Sequence, residues 1–146
     1  MSLYLDWLGL SEGATQDLRG NMTLVGFNPR ALPVEALPAQ VAPTFIAAID
    51  DTEDPAPLLV PGVGLRSSLT VLGPQNETLF FADMPGAQAP PKKRADVPGR
   101  LVFAIQAAFT AEKPGRYSFR FTFQVEGRAD GRLDVTKDFW VIEPDS

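Results

Sequence analysis

The chain contains neither cysteine nor histidine. Without cysteine there is no disulfide framework, and no thiolate to act as nucleophile or metal ligand. Without histidine the chain lacks the side chain whose ordinary pKa lies nearest neutrality, the usual proton shuttle and commonest metal ligand. Ser-His-Asp triads, Cys-His dyads and ordinary zinc sites are excluded together. Paired carboxylates, lysine and tyrosine are what remains for catalysis. The expectation is therefore a protein that is not an enzyme, with no catalytic, cofactor or metal residues assigned.

Long apolar runs are missing too. No uninterrupted stretch approaches the roughly 20 residues of a membrane helix, so no membrane span is expected. The segment Met1 to Leu10 carries Asp6 and no basic n-region, unlike a signal peptide, which points to a cytoplasmic protein. Positive charge is in short supply: 13 basic residues stand against 18 acidic ones, a net of −5. Such a surface repels phosphate backbones, and general nucleic-acid binding is disfavoured. What is present suits one globular domain over 1–146: hydrophobic residues make up 45 %, close to the soluble average, which argues against disorder.

The clearest pattern lies between Arg116 and Val125. Tyr117, Phe119, Phe121, Phe123 and Val125 alternate with Arg116, Ser118, Arg120, Thr122 and Gln124. Period two over ten residues predicts a strand with one buried and one wet face. Lys113-Pro114-Gly115 precedes it as a turn, and Tyr117 stands where a sandwich strand often ties its hydroxyl to nearby loop backbone. Upstream, Leu101, Phe103, Ile105, Ala107 and Phe109 share one face of a strand whose other face is mostly small or apolar, which reads as central or covered on both sides. Downstream, Gly127 and Gly131 turn the chain into a last strand, Leu133 to Ile142. The three are expected to form an antiparallel meander.

Further strands are predicted at Leu3 to Leu10, Asn21 to Phe27, Thr44 to Ile49, Leu65 to Leu72 and Thr78 to Ala82, the last pairing with its predecessor across Gly73-Pro74-Gln75-Asn76. No helical period persists; in Ala31 to Val41 it is broken by Pro33 and Pro38. Eleven of the 14 prolines fall in three connections, 29–43, 55–61 and 85–98, which read as loops or edge-hugging pieces. The fold class expected is all-β: an antiparallel immunoglobulin-like β-sandwich of about eight strands with long Pro-rich loops.

Several short features invite a chemical reading. Asp50, Asp51, Glu53 and Asp54 cluster at a strand end, but the spacing is not that of a calcium loop and a solvated turn is preferred. Lys92, Lys93 and Arg94 form the one concentrated positive site, so they are the partner-binding candidates, although three charges in an extended loop read first as a solvated tip. Asn21-Met22-Thr23 and Asn76-Glu77-Thr78 match the glycosylation pattern, read as accidental without a secretion signal. Gly62-Val63-Gly64 lacks the strand-to-helix context of a phosphate loop.

Several segments together resemble a family of small bacterial and phage proteins of uncharacterised function with an immunoglobulin-like sandwich fold. They are the N-terminal apolar strand, Gly20-Asn21-Met22-Thr23-Leu24-Val25-Gly26-Phe27, Pro43-Thr44-Phe45-Ile46-Ala47, and Lys113-Pro114-Gly115-Arg116-Tyr117-Ser118-Phe119 with Val125-Glu126-Gly127 behind it. The insertion Pro85 to Pro98 departs from that pattern. The resemblance implies a fold, and it brings no catalytic residues.

Three functions follow in order of preference. The first is a non-enzymatic protein-interaction or assembly module, an adaptor or accessory protein of a bacterial or phage system, whose partner is another protein or a second copy. The second is a small-ligand or carbohydrate-binding sandwich, with Tyr4, Trp7 and Trp140 as stacking candidates. The third is a carboxylate-based hydrolase, for which Asp83 and Asp138 stand as the acids.

Overall fold

In the computed structural model, residues 3–11, 13–16, 18, 22–25, 30–51, 58–60, 62–88 and 99–143 are described. They form twelve strands and no helix. These are β1 (Tyr4–Ser11), β2 (Gly13–Gln16), β3 (Met22–Val25), β4 (Ala31–Pro33), β5 (Ala39–Val41), β6 (Thr44–Asp50), β7 (Gly64–Leu72), β8 (Thr78–Gln88), β9 (Arg100–Gln106), β10 (Phe109–Ala111), β11 (Gly115–Val125) and β12 (Arg132–Ile142). All eight predicted strands are present, and four short ones are added.

Two sheets carry the architecture. One has the order β1-β6-β9; the other has the order β4-β12-β11-β7-β8. Pairing is antiparallel except between β12 and β4, which run parallel. The pairs β5–β10 and β2–β3 complete the described set.

The alternation in β11 does what period two requires. Tyr117, Phe119, Phe121, Phe123 and Val125 are buried, while Arg116 and Arg120 are exposed. The aromatic face meets the three-stranded sheet. Phe45 of β6 lies 4.2 Å from Phe119 and 6.1 Å from Phe139, and Phe103 of β9 lies 5.6 Å from Phe121 and 5.7 Å from Phe123, centroid to centroid. These tilted and edge-on geometries suit ring quadrupoles. Each fully buried large side chain contributes about 1.5–3 kcal/mol relative to exposure, so this interlock of the two inner faces is the chief stabilising contact. The result is a two-layer β-sandwich.

The expected meander is corrected. β11 and β12 do form a hairpin, in register from Gly115↔Val141 to Gln124↔Arg132. β9 belongs to the opposite sheet and pairs with β6. The strand predicted to run unbroken to Phe109 stops at Gln106: the Ala107 amide donates to the Pro43 carbonyl (2.9 Å), and the chain passes over to pair with β5 as β10. Nor is β9 the central strand. Among the described strands it is an edge, with Val102 42 % exposed, whereas β6 is the strand buried on both faces. Small residues at 104 and 108 made the two cases look alike in sequence.

The proline connections are also less irregular than expected. Residues 29–43 contain β4 and β5, and β8 continues through Pro85 to Gln88. In the β11–β12 turn, Gly127 has φ +77°, which only glycine adopts without strain, and a Cβ on Gly131 would lie 2.8 Å from Val125 Cβ.

Candidate functional site: an open sheet edge and its surroundings

A sandwich built from open sheets has edges, and each edge is a row of backbone donors and acceptors able to take another strand. Among the described residues, β1 and β9 border one sheet, and β8, β4 and the 132–139 part of β12 border the other. All of these but β9 carry features that oppose pairing. β4 is three residues long and ends in Pro33. β1 has a register irregularity between Leu5 and Trp7. β8 has two register shifts against β7 and contains Pro85, which lacks a donor. On β12, Lys137 sits opposite buried Phe119, on the inward side between the sheets. A charge pointing toward the layer interface makes an added strand costly.

β9 has none of them. Its register with β6 runs without a break from Arg100↔Asp50 to Gln106↔Thr44. The Asp51 amide donates to the Gly99 carbonyl (2.8 Å), and the Ala107 amide to Pro43. In an antiparallel ladder hydrogen-bonded pairs alternate, so Leu101, Phe103 and Ile105 also face β6. The backbone groups of Val102, Ala104 and Gln106 therefore point away from β6, where no described strand meets them. The inward side chains Leu101, Phe103 and Ile105 are only half-buried.

Below that edge the other sheet extends further. The inward residues of β7 (Leu65, Ser67, Leu69 and Val71) are buried, but those of β8 (Phe80, Ala82 and Met84) are half-buried. β9 stacks on β11 and its Phe103 and Ile105 reach Leu69 of β7, so the half-buried inward face of β8 lies beyond it. The inward side chains of β8 are apolar, and the backbone groups of β9 that face away from β6 meet no described strand.

The predicted partner-binding residues Lys92, Lys93 and Arg94 lie outside the described residues, in the connection from β8 to β9. Of the acidic cluster, Glu53 and Asp54 also lie outside. Asp50 pairs with Arg100 at 3.0 Å. Asp51 is no solvated turn residue: it is 1 % exposed, and its two carboxylate oxygens accept from the Leu58 (3.0 Å) and Leu59 (2.9 Å) amides. Among the described residues no group of three or more potential ligands gathers for a metal.

Trp140 is 40 % exposed and stands on the outer face of the five-stranded sheet opposite Arg116. The side chains of Tyr4 and Trp7 lie outside the described set, as does Asn21. Asn76 is in the exposed β7–β8 turn with φ +62°. Asp83 on β8 and Asp138 on β12 stand on outer strands separated by three spacings, about 14 Å at the usual strand separation. Each pairs with an arginine, Asp83 with Arg66 (3.3 Å) and Asp138 with Arg116 (3.9 Å). They do not converge on one bond as a glycosidase pair does, at about 5–10 Å.

The outer face of the five-stranded sheet holds a more ordered polar array. Arg120 grips Asp134 with two bonds, 3.0 and 2.7 Å, and those hydrogen bonds hold the Asp134 carboxyl below the usual carboxylate range. The Ser68 and Thr122 hydroxyls are hydrogen-bonded to each other. A depression of about 180 Å³ is lined there by Arg66, Ser68, Asp83, Thr122, Gln124 and Arg132, among others.

No family model matches the chain, and no curated protein matches it. Among solved structures, the C-terminal domain of wzt superposes with a TM-score of 0.52, covering 99 % of this chain and 74 % of that one at 7 % identity. A likeness at that identity is one of fold, and it agrees with the two-layer arrangement of strands. Among the described residues no helix is long and apolar enough to cross a membrane.

Proposed function

We propose that this protein is a non-enzymatic interaction module that captures an extended segment of a partner protein as an added strand beside β9. The observation that carries the reading is the contrast among the described edges. Of these, β9 combines an unbroken register, no proline, no inward charge and the apolar inward face of β8 beyond it. Main-chain hydrogen bonds supply affinity in this mode, and alternate side-chain pockets supply selectivity. The partner segment places apolar residues at every second position, over Phe80, Ala82 and Met84. A second copy fits less well. Joining β9 to β9 about a two-fold axis would drive the β8 strands of both copies into the same space. In this reading the sandwich is immunoglobulin-like and the chain is an accessory or assembly protein of a bacterial or phage system; the family resemblance of its turn and core residues supports that, and the basic run at 92–94 adjoins the docking edge in sequence.

The test is a peptide-library selection against the intact chain, followed by amide exchange on the complex. Selected peptides should alternate apolar residues and protect the amides of Val102, Ala104 and Gln106. Ala104→Pro removes a donor from the open side only, leaving the β6 ladder intact, and should abolish capture while the melting temperature holds. Peptides that protect other amides, or bind Ala104→Pro unchanged, would refute strand addition at this edge.

A further inference from the structure

We propose a second binding site, on the outer face of the five-stranded sheet, for an acidic oligosaccharide. It is separate from the β9 edge, whose floor is the opposite, inward face of β8.

Two neighbouring rows build it. The register places Asp83, Ser68, Thr122 and Asp134 side by side across four strands, and Arg66, Gln124 and Arg132 in the next row. Outward neighbours in adjacent strands stand about 5 Å apart, so the short side chains Ser68 and Thr122 form a dip between longer flanking ones. This is the 180 Å³ depression.

The charges in it do not cancel. Asp134 is committed through both oxygens to Arg120, and Asp83 is matched by Arg66. Arg132 stands 3.8 Å from Asp134 and shares that carboxylate with Arg120, so three arginines face two carboxylates. Gln124 spends its amide nitrogen on the carbonyls of Val125 and Arg128, which leaves its oxygen as an acceptor. One positive charge therefore remains in the array, on a chain of net charge −5. That selects an anion, and Arg132 offers a planar fork that fits a carboxylate.

Hydroxyl-bearing ligands suit the remainder. Asp83 accepts from sugar hydroxyls, while Ser68 and Thr122 both donate and accept. Phe81 lies two residues from Asp83 on the same strand and is 60 % exposed, the most exposed aromatic among the described residues. Its ring gives the apolar face of a pyranose a surface to stack on. From Phe81 on β8 to Arg132 on β12 the face crosses three strand spacings, about 14 Å, and four residues along the strands, about 13 Å more, so the ligand has more than one sugar unit. A polyphosphate chain fits poorly, because it has no apolar face to set against Phe81.

Calorimetric titration of the intact chain with three probes tests this: trigalacturonate, neutral maltotriose and citrate. Trigalacturonate should bind, and the other two should bind at least about tenfold more weakly, the value of one charge-assisted contact. Arg132→Met and Phe81→Ala should each weaken trigalacturonate by about tenfold, while the exposed control Glu112→Ala and the edge variant Ala104→Pro leave it unchanged. Three results would each overturn the proposal: no heat with trigalacturonate, equal binding of maltotriose, or equal binding of citrate with Phe81→Ala silent. Because Ala104→Pro is read in both experiments, failure of either site leaves the other measurable.

Discussion

The hydroxyl of Tyr117 donates to the carbonyl of Lys113 at 2.6 Å, tying the start of β11 to the turn that feeds it. The ring beneath it is buried against Phe139 (5.7 Å) and Phe109 (6.1 Å). A tyrosine so placed is both a core residue and a clasp on the Lys113-Pro114-Gly115 turn. Tyr117→Phe keeps the packing and removes the clasp. We expect a loss of about 1 kcal/mol, one ordinary hydrogen bond, measured by denaturant unfolding with an unchanged m-value. A neutral substitution would show that the ring alone fixes the turn.

The same residue sets an alkaline limit. Burial raises the Tyr117 pKa above its ordinary value, outweighing the lowering effect of the bond to Lys113; Glu77 and Glu112 raise it a little more. A pKa raised in the fold means the neutral form is preferred there, so the associated stability is present below the unfolded value of about 10 and lost as pH rises through the folded one. Unfolding free energy of the wild type should therefore fall above about pH 10 more steeply than that of Tyr117→Phe, which has no proton to lose. Parallel curves for the two proteins would remove Tyr117 as the cause.

Asp51 organises the segment after β6. Both its oxygens accept backbone amides from Leu58 and Leu59, which are themselves buried, and a Cβ on neighbouring Gly99 would meet Leu59 Cβ at 3.3 Å. Asp51→Ala strips two charge-assisted bonds and leaves two amides without their acceptors, at a cost of about 3 kcal/mol or more. Asp51→Asn retains one acceptor and should recover part of that. Thermal melts of the two variants give the comparison; equal melting temperatures for wild type and Asp51→Ala would refute the role.

Asp51 also marks where sequence reading reaches its limit. Strand β11 is readable because one residue in two is aromatic or aliphatic and the rest are polar, so a single pattern reports both conformation and face. Nothing local separates Asp51 from Asp50, yet one is buried under Leu58–Leu59 and the other pairs with Arg100 near the surface. That difference is made by a chain segment seven residues on. β9 fails in a similar way: Val102 and Ala104 are as apolar as a buried face, and only the position of β6 on one side and the absence of a described strand on the other reveals an edge. The short strands β4, β5 and β10 are three residues each, too brief for any period to register. Of the functional surfaces, the Arg-Ser-Thr-Asp array could be read only as a wet face, since its rows come from four strands whose order is a tertiary fact.

The contrast between edges yields a last prediction. Lys137 occupies an inward-side position of β12, level with Phe119, and lines the cleft of about 340 Å³ between that edge and Gly9–Leu10 of β1. If its charge is what keeps the 132–139 edge single, Lys137→Leu should complete an unbroken apolar row with Leu133, Val135 and Phe139 and create a second edge open to pairing. Light scattering with size-exclusion chromatography should then show concentration-dependent association in place of the wild-type behaviour. Thr136→Leu is the matched control: it adds the same apolar side chain on the outer face, beside Arg120, without changing the side between the sheets. Association in both variants would assign the effect to added surface hydrophobicity. Association in Lys137→Leu alone would show that one inward charge guards this edge, a charge that the inward row Leu101, Phe103 and Ile105 of β9 lacks.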